Sequence, residues 1–452
     1  MRAGGLMSSV VLVAGASVLS IIAASAADIP TKVAARPAAE AVLASFDWTG
    51  FYLGLYAGVG VQQSHGSDPT GRTGPGDVEF IGQGFTGGGT AGYNYQLYPN
   101  WVVGLEGDFG YLGLDRAFTD YFPDQRFNSK TSWIGTVRGR VGYTTGPTLS
   151  YVTAGAAWVH FTDVNDGSRF DFGDRSSSRT NGGFAIGSGV ETRLGGNWTA
   201  KAEHLHVDVG EGDLVRNGRG SLKVDEHRYQ QMKFGLNYLF GDKPQSALAS
   251  HNWTGAYVGI VGGSAVASSE GSDPSGAIRG VINNNGTGFT AGGIAGYNWH
   301  LAPQWVVGAE GDFSWLGIDD RSINYFDRPA LFGIDTNWVA TVRARVGYST
   351  GAALLYLTGG GAWVNLQDSF QGSTFRAGGP RVSSTETLSG LTIGGGIESP
   401  FFIPGWMSRT EYLFITAGKG DTLNSSGDLF RANHDFHLFR LALVWNFGAG
   451  WN

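Results

Sequence analysis

Two stretches of the sequence decide its fold: residues 101–111 read WVVGLEGDFGY, and residues 133–143 read WIGTVRGRVGY. Side chains along an extended strand alternate between two faces. Each stretch then has one face of apolar residues and glycine and an opposite face that carries charge, with aromatic residues at both ends. Acids lie on the charged face of the first stretch and arginines on that of the second: Glu106, Asp108, Arg138 and Arg140.

The two faces of these strands predict the wall of a transmembrane barrel. Charged side chains are costly against hydrocarbon, whereas inside a barrel acids and bases can pair. Aromatic residues at the strand ends are typical of the two membrane interfaces. A soluble barrel around an apolar ligand would need the reverse arrangement, with its apolar face inward. We therefore expect the charged faces to line a lumen and the apolar faces to meet lipid.

The chain contains two copies of this pattern. WTG at residues 48–50 recurs at 253–255, and the two stretches recur as WVVGAEGDFSW at 305–315 and WVATVRARVGY at 338–348. A period this long indicates two whole domains rather than a solenoid of small repeats. The predicted organisation is a signal peptide at 1–26, a flexible leader at 27–45, a first barrel repeat at 46–241, a linker at 242–250 and a second barrel repeat at 251–452.

Each copy divides into eight extended segments whose connections alternate between short and long. Bacterial up-and-down barrels use an even number of strands, with short periplasmic turns and longer external loops. The predicted fold class is therefore all-β, with two tandem eight-stranded antiparallel up-and-down transmembrane β-barrels. The alternative is one sixteen-stranded barrel, which would be wide enough to act as a diffusion porin.

The N-terminus predicts export. Met1 and Arg2 precede an apolar stretch at 10–22, and the small residues ASA follow at 24–26, as in a site that signal peptidase accepts. The alternative is a permanent membrane anchor. No later apolar run is long enough for a membrane helix, so any further membrane contact is expected to use strands.

The composition excludes several classes of protein. The 452 residues include 74 glycines and no cysteine, are 42% hydrophobic and 15% charged, and carry a formal net charge of −7. This mixture is not that of a disordered chain or a helical membrane bundle. The negative charge gives no reason to expect a nucleic-acid partner. Without cysteine there is neither a disulfide nor a thiolate site.

No catalytic, cofactor or metal site is predicted. The glycine pattern at 87–92 is not followed by a helix, as a dinucleotide site would require, and no nucleophile elbow occurs. His204 and His206 share one strand face but have no counterpart pair in the second copy, which favours interfacial or loop roles over metal ligation. An outer-membrane enzyme acting on lipid or peptide, with serine, histidine and acid on separate strands, is the competing class.

Charged residues of both signs are predicted to form a network inside each copy. Two interpretations are open: the charges line a path for ions or solutes, or they plug a narrow barrel with salt bridges. Eight strands leave an interior only wide enough for side chains, which favours the plug. The predicted network residues are Glu106, Asp108, Arg138, Arg140, Glu191, Lys201, Glu203, Glu310, Asp312, Arg343, Arg345, Glu398, Arg409 and Glu411.

The opening motif at 48–54, the AGYN segment at 91–94 and the two quoted stretches resemble the outer-membrane β-barrel family of small porin-like, surface-immunogenic proteins of alphaproteobacteria. The resemblance covers both copies. It implies a bacterial outer-membrane location and a structural, envelope-integrity or porin-like role rather than catalysis. It also implies partners, namely outer-membrane lipid and lipopolysaccharide, and the assembly machinery that would read the strand-end residues Phe240 and Phe447. The family members are single eight-stranded barrels, and this chain departs from them by carrying two copies.

Overall fold

The computed structural model describes residues 46–67, 77–119, 125–167, 175–210, 212–217, 220–243, 251–272, 281–324, 330–373, 376–403, 405–423 and 429–447. The predicted signal peptide and leader lie outside the described residues, as does most of the predicted linker. No helix among the described residues is long and apolar enough to cross a membrane. The described elements are all β-strands.

The first copy is a ring of antiparallel strands. Its strands are β1 (Gly50–Ser67), β2 (Asp77–Tyr98), β3 (Trp101–Thr119), β4 (Gln125–Thr144), β5 (Thr148–Gly167), β6 (Arg175–Gly195), β7 (Trp198–Asp208), β8 (Gly212–Asn217) and β9 (Gly220–Leu239). Consecutive wall strands pair with each other, and β9 pairs back with β1. Both β7 and β8 pair with β9, so they are two parts of one wall strand, interrupted next to Gly210. The ring therefore has eight wall strands, as predicted.

The second copy is a closed barrel of eight strands. They are β10 (Gly255–Ser272), β11 (Val281–Ala302), β12 (Trp305–Asn324), β13 (Ala330–Ser349), β14 (Leu354–Ser373), β15 (Arg376–Pro400), β16 (Trp406–Leu423) and β17 (Leu429–Asn446). Within the described ranges, no strand of one ring pairs with a strand of the other. The prediction of two barrels is confirmed, and the alternative of one sixteen-stranded barrel is wrong. Each copy closes by itself because its last strand is in register with its own first strand.

The short connections lie at one end of each barrel, which we call the short-turn end. Two residues separate β2 from β3 and β6 from β7, and the turns between the matching strands of the second copy are also short. Glycines with left-handed φ permit short turns, such as Gly196 at 54° between β6 and β7 and Gly351 at 93° between β13 and β14. The first strand of each ring begins at this end and the last strand finishes there. In bacterial barrels the short turns face the periplasm.

The outward faces of the walls are mainly apolar. Leu105 and Ile393 are 60% and 65% exposed, which suits a surface that meets lipid rather than water. Towards the short-turn end, the rings of Trp101 and Tyr143 lie 5.5 Å apart on neighbouring strands. Trp133 lies near the other end of the apolar belt. Aromatic residues therefore stand at both edges of the belt.

The interior of each barrel is filled in three layers along its axis. Along β3, Val102 belongs to an apolar floor, Glu106 and Asp108 to a charged middle layer, and Leu112 to an upper apolar layer. The second copy has the same order of layers. The sequence predicted a polar interior throughout, so the upper apolar layer is a finding of the structure. Inward apolar side chains meet across the narrow lumen there, and their burial stabilises the part of the wall beyond the charged layer.

Candidate functional site

The charged middle layer is the candidate functional site. All fourteen predicted network residues lie in it, each at most 7% exposed. The structure adds one base to each copy, Lys233 on β9 and Arg440 on β17. Each layer then holds four acids and four bases, so its formal charge is zero. The first layer contains Glu106, Asp108, Glu191, Glu203, Arg138, Arg140, Lys201 and Lys233, and the second contains Glu310, Asp312, Glu398, Glu411, Arg343, Arg345, Arg409 and Arg440.

Arg138 is the centre of the first layer. Its Nη2 lies 2.8 Å from Glu106 Oε1, 2.7 Å from Asp108 Oδ2 and 3.0 Å from Glu203 Oε1. Its Nε donates to Thr136 Oγ1 at 2.9 Å. The acids come from β3 and β7, which lie on opposite sides of the ring. The guanidinium of Arg138 therefore joins the two walls across the lumen.

Two lysines neutralise the acids of β3. Lys201 Nζ, from β7, lies 2.9 Å from Glu106 Oε2, and Lys233 Nζ, from β9, lies 2.9 Å from Asp108 Oδ1. All four side chains are buried. Buried charges are tolerated only when they are paired and hydrogen-bonded, which this arrangement provides. The contact of Lys201 is a second link across the lumen.

Arg140 lies at the lower edge of the charged layer, next to the floor. Its Nη1 is 2.9 Å from Glu191 Oε2, and its Nε donates to Asn94 Oδ1 at 2.8 Å. The guanidinium carbon lies 4.9 Å from the ring centre of Tyr52 and 5.0 Å from that of Tyr151. Contacts of this kind combine an ion pair with cation–π attraction. The arginine thus packs between two aromatic rings.

The glycine of the AGYN motif makes space for one of these tyrosines. Tyr52 Oη donates to Glu106 Oε2 at 2.7 Å. A Cβ atom on Gly92 would lie 2.3 Å from that hydroxyl oxygen, which is too close for any side chain. The second copy repeats the arrangement, since a Cβ on Gly296 would lie 2.4 Å from Tyr257 Oη. The glycine at this position is therefore required by close approach.

Arg343 takes the place of Arg138 in the second layer. Its guanidinium donates to Glu310, lies 3.0 Å from Asp312 Oδ2, and uses Nη1 to reach Glu411 Oε1 at 2.9 Å. Arg440 adds a second bridge, because its Nη1 lies 2.9 Å from Asp312 Oδ1 and its Nη2 pairs with Glu411. These contacts join β12 to β16, which lie on opposite sides of the barrel.

Two further arginines bind Glu398, the remaining acid of the second layer. Arg409 Nη1 lies 2.5 Å from Glu310 Oε2, and its Nη2 lies 2.8 Å from Glu398 Oε2. Arg345 Nη2 lies 3.1 Å from the same oxygen of Glu398, and its Nη1 donates to Tyr257 Oη at 3.1 Å. The planar guanidinium presents several donors in fixed directions, which lets one side chain bridge two carboxylates.

The tryptophan of the WTG motif closes the floor below the charges. Trp48 is fully buried, and its Nε1 donates to Thr144 Oγ1 at 2.9 Å. Trp253 is buried in the same way and donates to Ser349 Oγ at 3.0 Å. Both acceptors lie at the ends of strands that enter short turns. The segment before the first strand thus inserts its indole into the short-turn end of each lumen.

A serine and a histidine meet above the upper apolar layer of each copy. Ser64 Oγ lies 2.7 Å from His227 Nδ1, and Ser269 Oγ lies 2.7 Å from His434 Nδ1. In the second copy Asp368 Oδ2 is 3.3 Å from the other ring nitrogen, His434 Nε2. These are the residue types of the competing enzyme hypothesis. However, each serine and histidine is at most 2% exposed, so a substrate cannot reach the hydroxyl in this arrangement.

Sequence reasoning missed Lys233, Arg440 and the two serine–histidine pairs. The signal was present in the last strand of each copy. His227 and Lys233 share the inward face of β9, and His434 and Arg440 share that of β17. Alternation along these strands, applied to both copies, would have placed them with the other inward residues. The histidines of the last strands do have counterparts in the two copies, since His227 and His434 contact Ser64 and Ser269 in the same way.

The arrangement is suited to holding a barrel shut. Each acid of the two layers has a basic partner, the longest of these nearest contacts being 3.0 Å in the first copy. Within the described ranges, no three metal-ligating side chains are grouped so that they could hold an ion. A fully paired layer has no carboxylate available to bind a passing cation. The role of the layer is therefore to hold the walls of the barrel together.

Comparison with known proteins gives the same picture of two outer-membrane barrels. The model of the outer membrane protein beta-barrel domain matches residues 14–240 and again 244–447. The 31 kDa outer-membrane immunogenic protein of Brucella melitensis is 32% identical over 250 residues, which cover 52% of this chain and 100% of that protein. The 22 kDa outer membrane protein of Rhizobium leguminosarum is 37% identical over 194 residues, 43% of this chain and 78% of that protein.

Solved structures show a weaker likeness. The attachment invasion locus protein Ail of Yersinia pestis is 17% identical, covers 42% of this chain and 99% of its own, and has a TM-score of 0.24, which is too low to carry an argument. The family match is different in kind, because it covers nearly the whole described chain and repeats at the boundary between the two rings. The chain therefore belongs to the family of outer membrane protein beta-barrel domains, with two copies of that domain in tandem.

Proposed function

We propose that this chain is an integral bacterial outer-membrane protein with a structural role in the envelope, and that its two barrels are closed to solutes and carry no catalysis. The observation that carries the proposal is the set of ion pairs that cross each lumen. Arg138 joins β3 to β7, and Arg343 joins β12 to β16. A solute path along either axis would have to separate these groups.

The layers above and below the charges support a closed lumen. The indole of Trp48 or Trp253 fills the floor, and an apolar cluster fills the upper part. Removing one partner from a buried ion pair typically costs about 3–5 kcal/mol. Because each network contains several such pairs, thermal opening of the whole layer is not expected.

The outward surface supports contact with lipid, and the ends of the barrels fit the other expected partners. The long-loop ends would face lipopolysaccharide. Phe240 and Phe447 follow the last strands, where their backbone nitrogens donate to Phe51 O at 2.8 Å and Ala256 O at 2.9 Å. Their side chains are 45% and 66% exposed, so assembly machinery could reach them during insertion. Export through the cleaved signal peptide at 1–26 is part of the same proposal.

Conductance in planar lipid bilayers tests this function directly. The full-length protein, folded into lipid, should show no stepwise current, because paired charges and packed side chains leave no continuous water path. Defined, reproducible current steps from the wild-type protein would overturn the proposal.

A set of lumen variants makes the negative result informative. Trp48→Ala combined with Arg138→Ala, Glu203→Ala and Leu112→Ala opens the floor, the crossing ion pair and the upper apolar layer of the first barrel while keeping its charge balance. We expect this variant to leak ions. Leu105→Ala, on the outward face, is the matched control and should show no stepwise current. A leak from the control as large as that from the lumen variant would mean that current arises outside the lumen.

A further inference from the structure

Part of the outward surface is not exposed. Val61, Ala202 and Ile397 lie on outward faces, next to inward polar residues, yet they are only 1%, 0% and 2% exposed. They belong to one apolar cluster that contains residues of both barrels. Outward residues elsewhere, such as Leu105 at 60%, are open to the surroundings. The two walls therefore cover each other along a strip, which we call the seam.

The seam joins corresponding strands of the two copies. β2 contacts β11 and β12, and β3 contacts β11. Towards the short-turn end, β6 and β7 both contact β15 and β16. Since β11, β12, β15 and β16 are the counterparts of β2, β3, β6 and β7, the contacts have the reciprocal pattern of a twofold dimer. One chain thus contains an interface of the kind that usually forms between two identical subunits.

Polar side chains cross the seam at its upper end. Tyr412 Oη donates to His437 Nδ1 at 2.7 Å, and His437 Nε2 lies 2.5 Å from Gln83 Oε1 of the other barrel. A neutral imidazole with its proton on Nε2 satisfies both contacts. Because these three side chains lie on outward faces, each would be costly against lipid without its partner.

A second polar group lies beside it on the first barrel. His204 Nε2 lies 2.7 Å from Gln230 Oε1, and Gln230 Nε2 lies 2.8 Å from His206 Nδ1. The ring of His204 stacks on Phe439 of the second barrel, with centroids 4.9 Å apart and planes 18° from parallel. This stacking covers the face of the His204 ring with an aromatic side chain of the other barrel, so the polar group does not have to face lipid.

Small and polar groups allow close approach at the lower end of the seam. Ser150 Oγ lies 3.4 Å from Ser408 Oγ, and Thr145 Oγ1 donates to Pro400 O at 3.3 Å. The contacts therefore extend from the short turns to the upper part of the walls. A chance encounter of two lipid-facing walls would not place hydrogen-bonding groups opposite each other at both ends.

We propose that the two barrels form a fixed lateral pair in the membrane, joined along this seam, and that the partner of each outward face is the other barrel of the same chain. The seam residues of the two copies differ at matching positions. His204 follows Glu203, whereas Tyr412 follows Glu411, and Gln230 and His437 each lie three residues before the inward base of the last strand. The two faces are therefore not identical, and the contacts that cross the seam join unlike residues, Gln83 with His437 and His204 with Phe439, which favours pairing of the two different faces within the chain.

Cross-linking in the cysteine-free chain tests the seam. Ser150→Cys with Ser408→Cys places two thiols where hydroxyl oxygens lie 3.4 Å apart, within reach of a disulfide after side-chain rotation. A protease site inserted in the linker at 242–250 allows the halves to be separated after oxidation in native membranes. On a non-reducing gel we expect the halves to stay joined, roughly tenfold more than for a control pair, because the thiols are held at high effective concentration.

The control pair is Leu105→Cys with Val342→Cys, two outward residues that are 60% and 61% exposed and lie away from the seam. Equal linkage of both pairs in folded protein would overturn the proposal. So would a product of twice the chain mass before linker cleavage, since that would place the contact between chains. If the serine pair prevents folding, Gln83→Cys with His437→Cys and a short bifunctional thiol-reactive reagent, such as a bis-maleimide, tests the upper end by the same criteria.

A second measurement tests the polar groups themselves. With the linker cut and no cross-link, the two halves should still copurify in mild detergent. Gln83→Leu with His437→Phe should lower the copurified fraction several-fold. His160→Phe with Thr180→Val removes an outward hydrogen bond of 2.9 Å within one barrel and should leave copurification unchanged. Equal effects of the two variants would refute a specific role for the seam.

Discussion

The two lumens carry the same four acids at matching positions but differ in two of their four bases. Lys201 and Lys233 in the first barrel correspond to Arg409 and Arg440 in the second. Each of those lysines makes one close contact, at 2.9 Å, to one acid of β3. Each corresponding arginine bridges two acids on two strands. The same strand positions therefore accept either a lysine or an arginine. The planar guanidinium of arginine bridges more strands than the single ammonium group of lysine.

The central arginines show the same difference. Arg138 places three acids around a single nitrogen, and its Nη1 has no hydrogen-bond partner within the described part of the chain. Arg343 uses both terminal nitrogens. The second barrel is therefore the more extensively bridged. Matched substitutions in the two barrels test this contrast.

Removing the central base should have the largest effect. Arg138→Met and Arg343→Met each leave buried acids without a principal partner, which costs about 3–5 kcal/mol of unfolding free energy. We expect the greater loss for Arg138→Met, since Glu203 then keeps only Lys201 at 3.9 Å, whereas the acids around Arg343 keep close contacts to Arg409 or Arg440. Urea titration of the full chain in lipid vesicles, with hydrogen exchange read separately on β3 and β12, measures both. Equal losses would remove the proposed difference between the barrels.

The next largest loss of stability is expected for the glycine beside the buried tyrosine. Gly92→Ala forces a Cβ against the Tyr52 hydroxyl, 2.3 Å away, and overpacking of this kind costs about 1–3 kcal/mol. Gly107→Ala is the matched control, because its nearest heavy atom would be 3.6 Å away. Gly296→Ala and Gly311→Ala repeat the pair in the second barrel. The same titration should show a loss for the inward glycine of each pair alone.

Exchanging the bases between the barrels should have a smaller effect. Arg409→Lys loses one of two charged bridges, for a cost of about 1.5 kcal/mol. Lys201→Arg should change stability little, because the second barrel shows that an arginine fits this register. A stabilisation by Arg409→Lys would contradict the idea that an arginine stabilises the barrel by bridging two acids. A loss of stability from Lys201→Arg as large as that from Arg409→Lys would contradict it as well.

The last effect depends on pH and is confined to the segments that precede the two first strands. Phe46 packs edge-on against Trp48 at 5.1 Å, and His251 packs in the same way against Trp253 at 4.7 Å. Burial lowers the pKa of His251 to about 4 from an ordinary value of 6.5. The unfolded segment therefore binds a proton first, so docking of the segment is fully stable above pH 6.5 and weakens as the pH falls towards 4.

The rate of proteolysis of the full chain near residue 251, measured from pH 7.5 to 4, reports how firmly this segment is docked. Cleavage should increase as the pH falls, whereas cleavage before Trp48 should not follow the same curve. His251→Phe reproduces the first copy and should abolish the pH dependence. If the variant and the wild type respond alike, another group controls the docking.

Alternation along single strands predicted most of the candidate site. The inward positions of Glu106 and Arg138 follow from a period of two, because a strand in a wall can present charge only to the side away from lipid. The seam could not be predicted in this way. Val61 and Leu105 are both apolar outward residues, and only the packing of the two barrels makes one buried and the other exposed.

Alternation, the length of the repeat and the spacing of turns are enough to predict two strand-built units, each with an apolar outside and a charged inside. The closure of each copy on itself, the meeting of its charges across the lumen between two apolar layers, and the seam between the two walls are visible only in the folded chain. These features depend on which strands become neighbours in space, and distances between residues far apart in the chain are set by closure and packing rather than by local pattern.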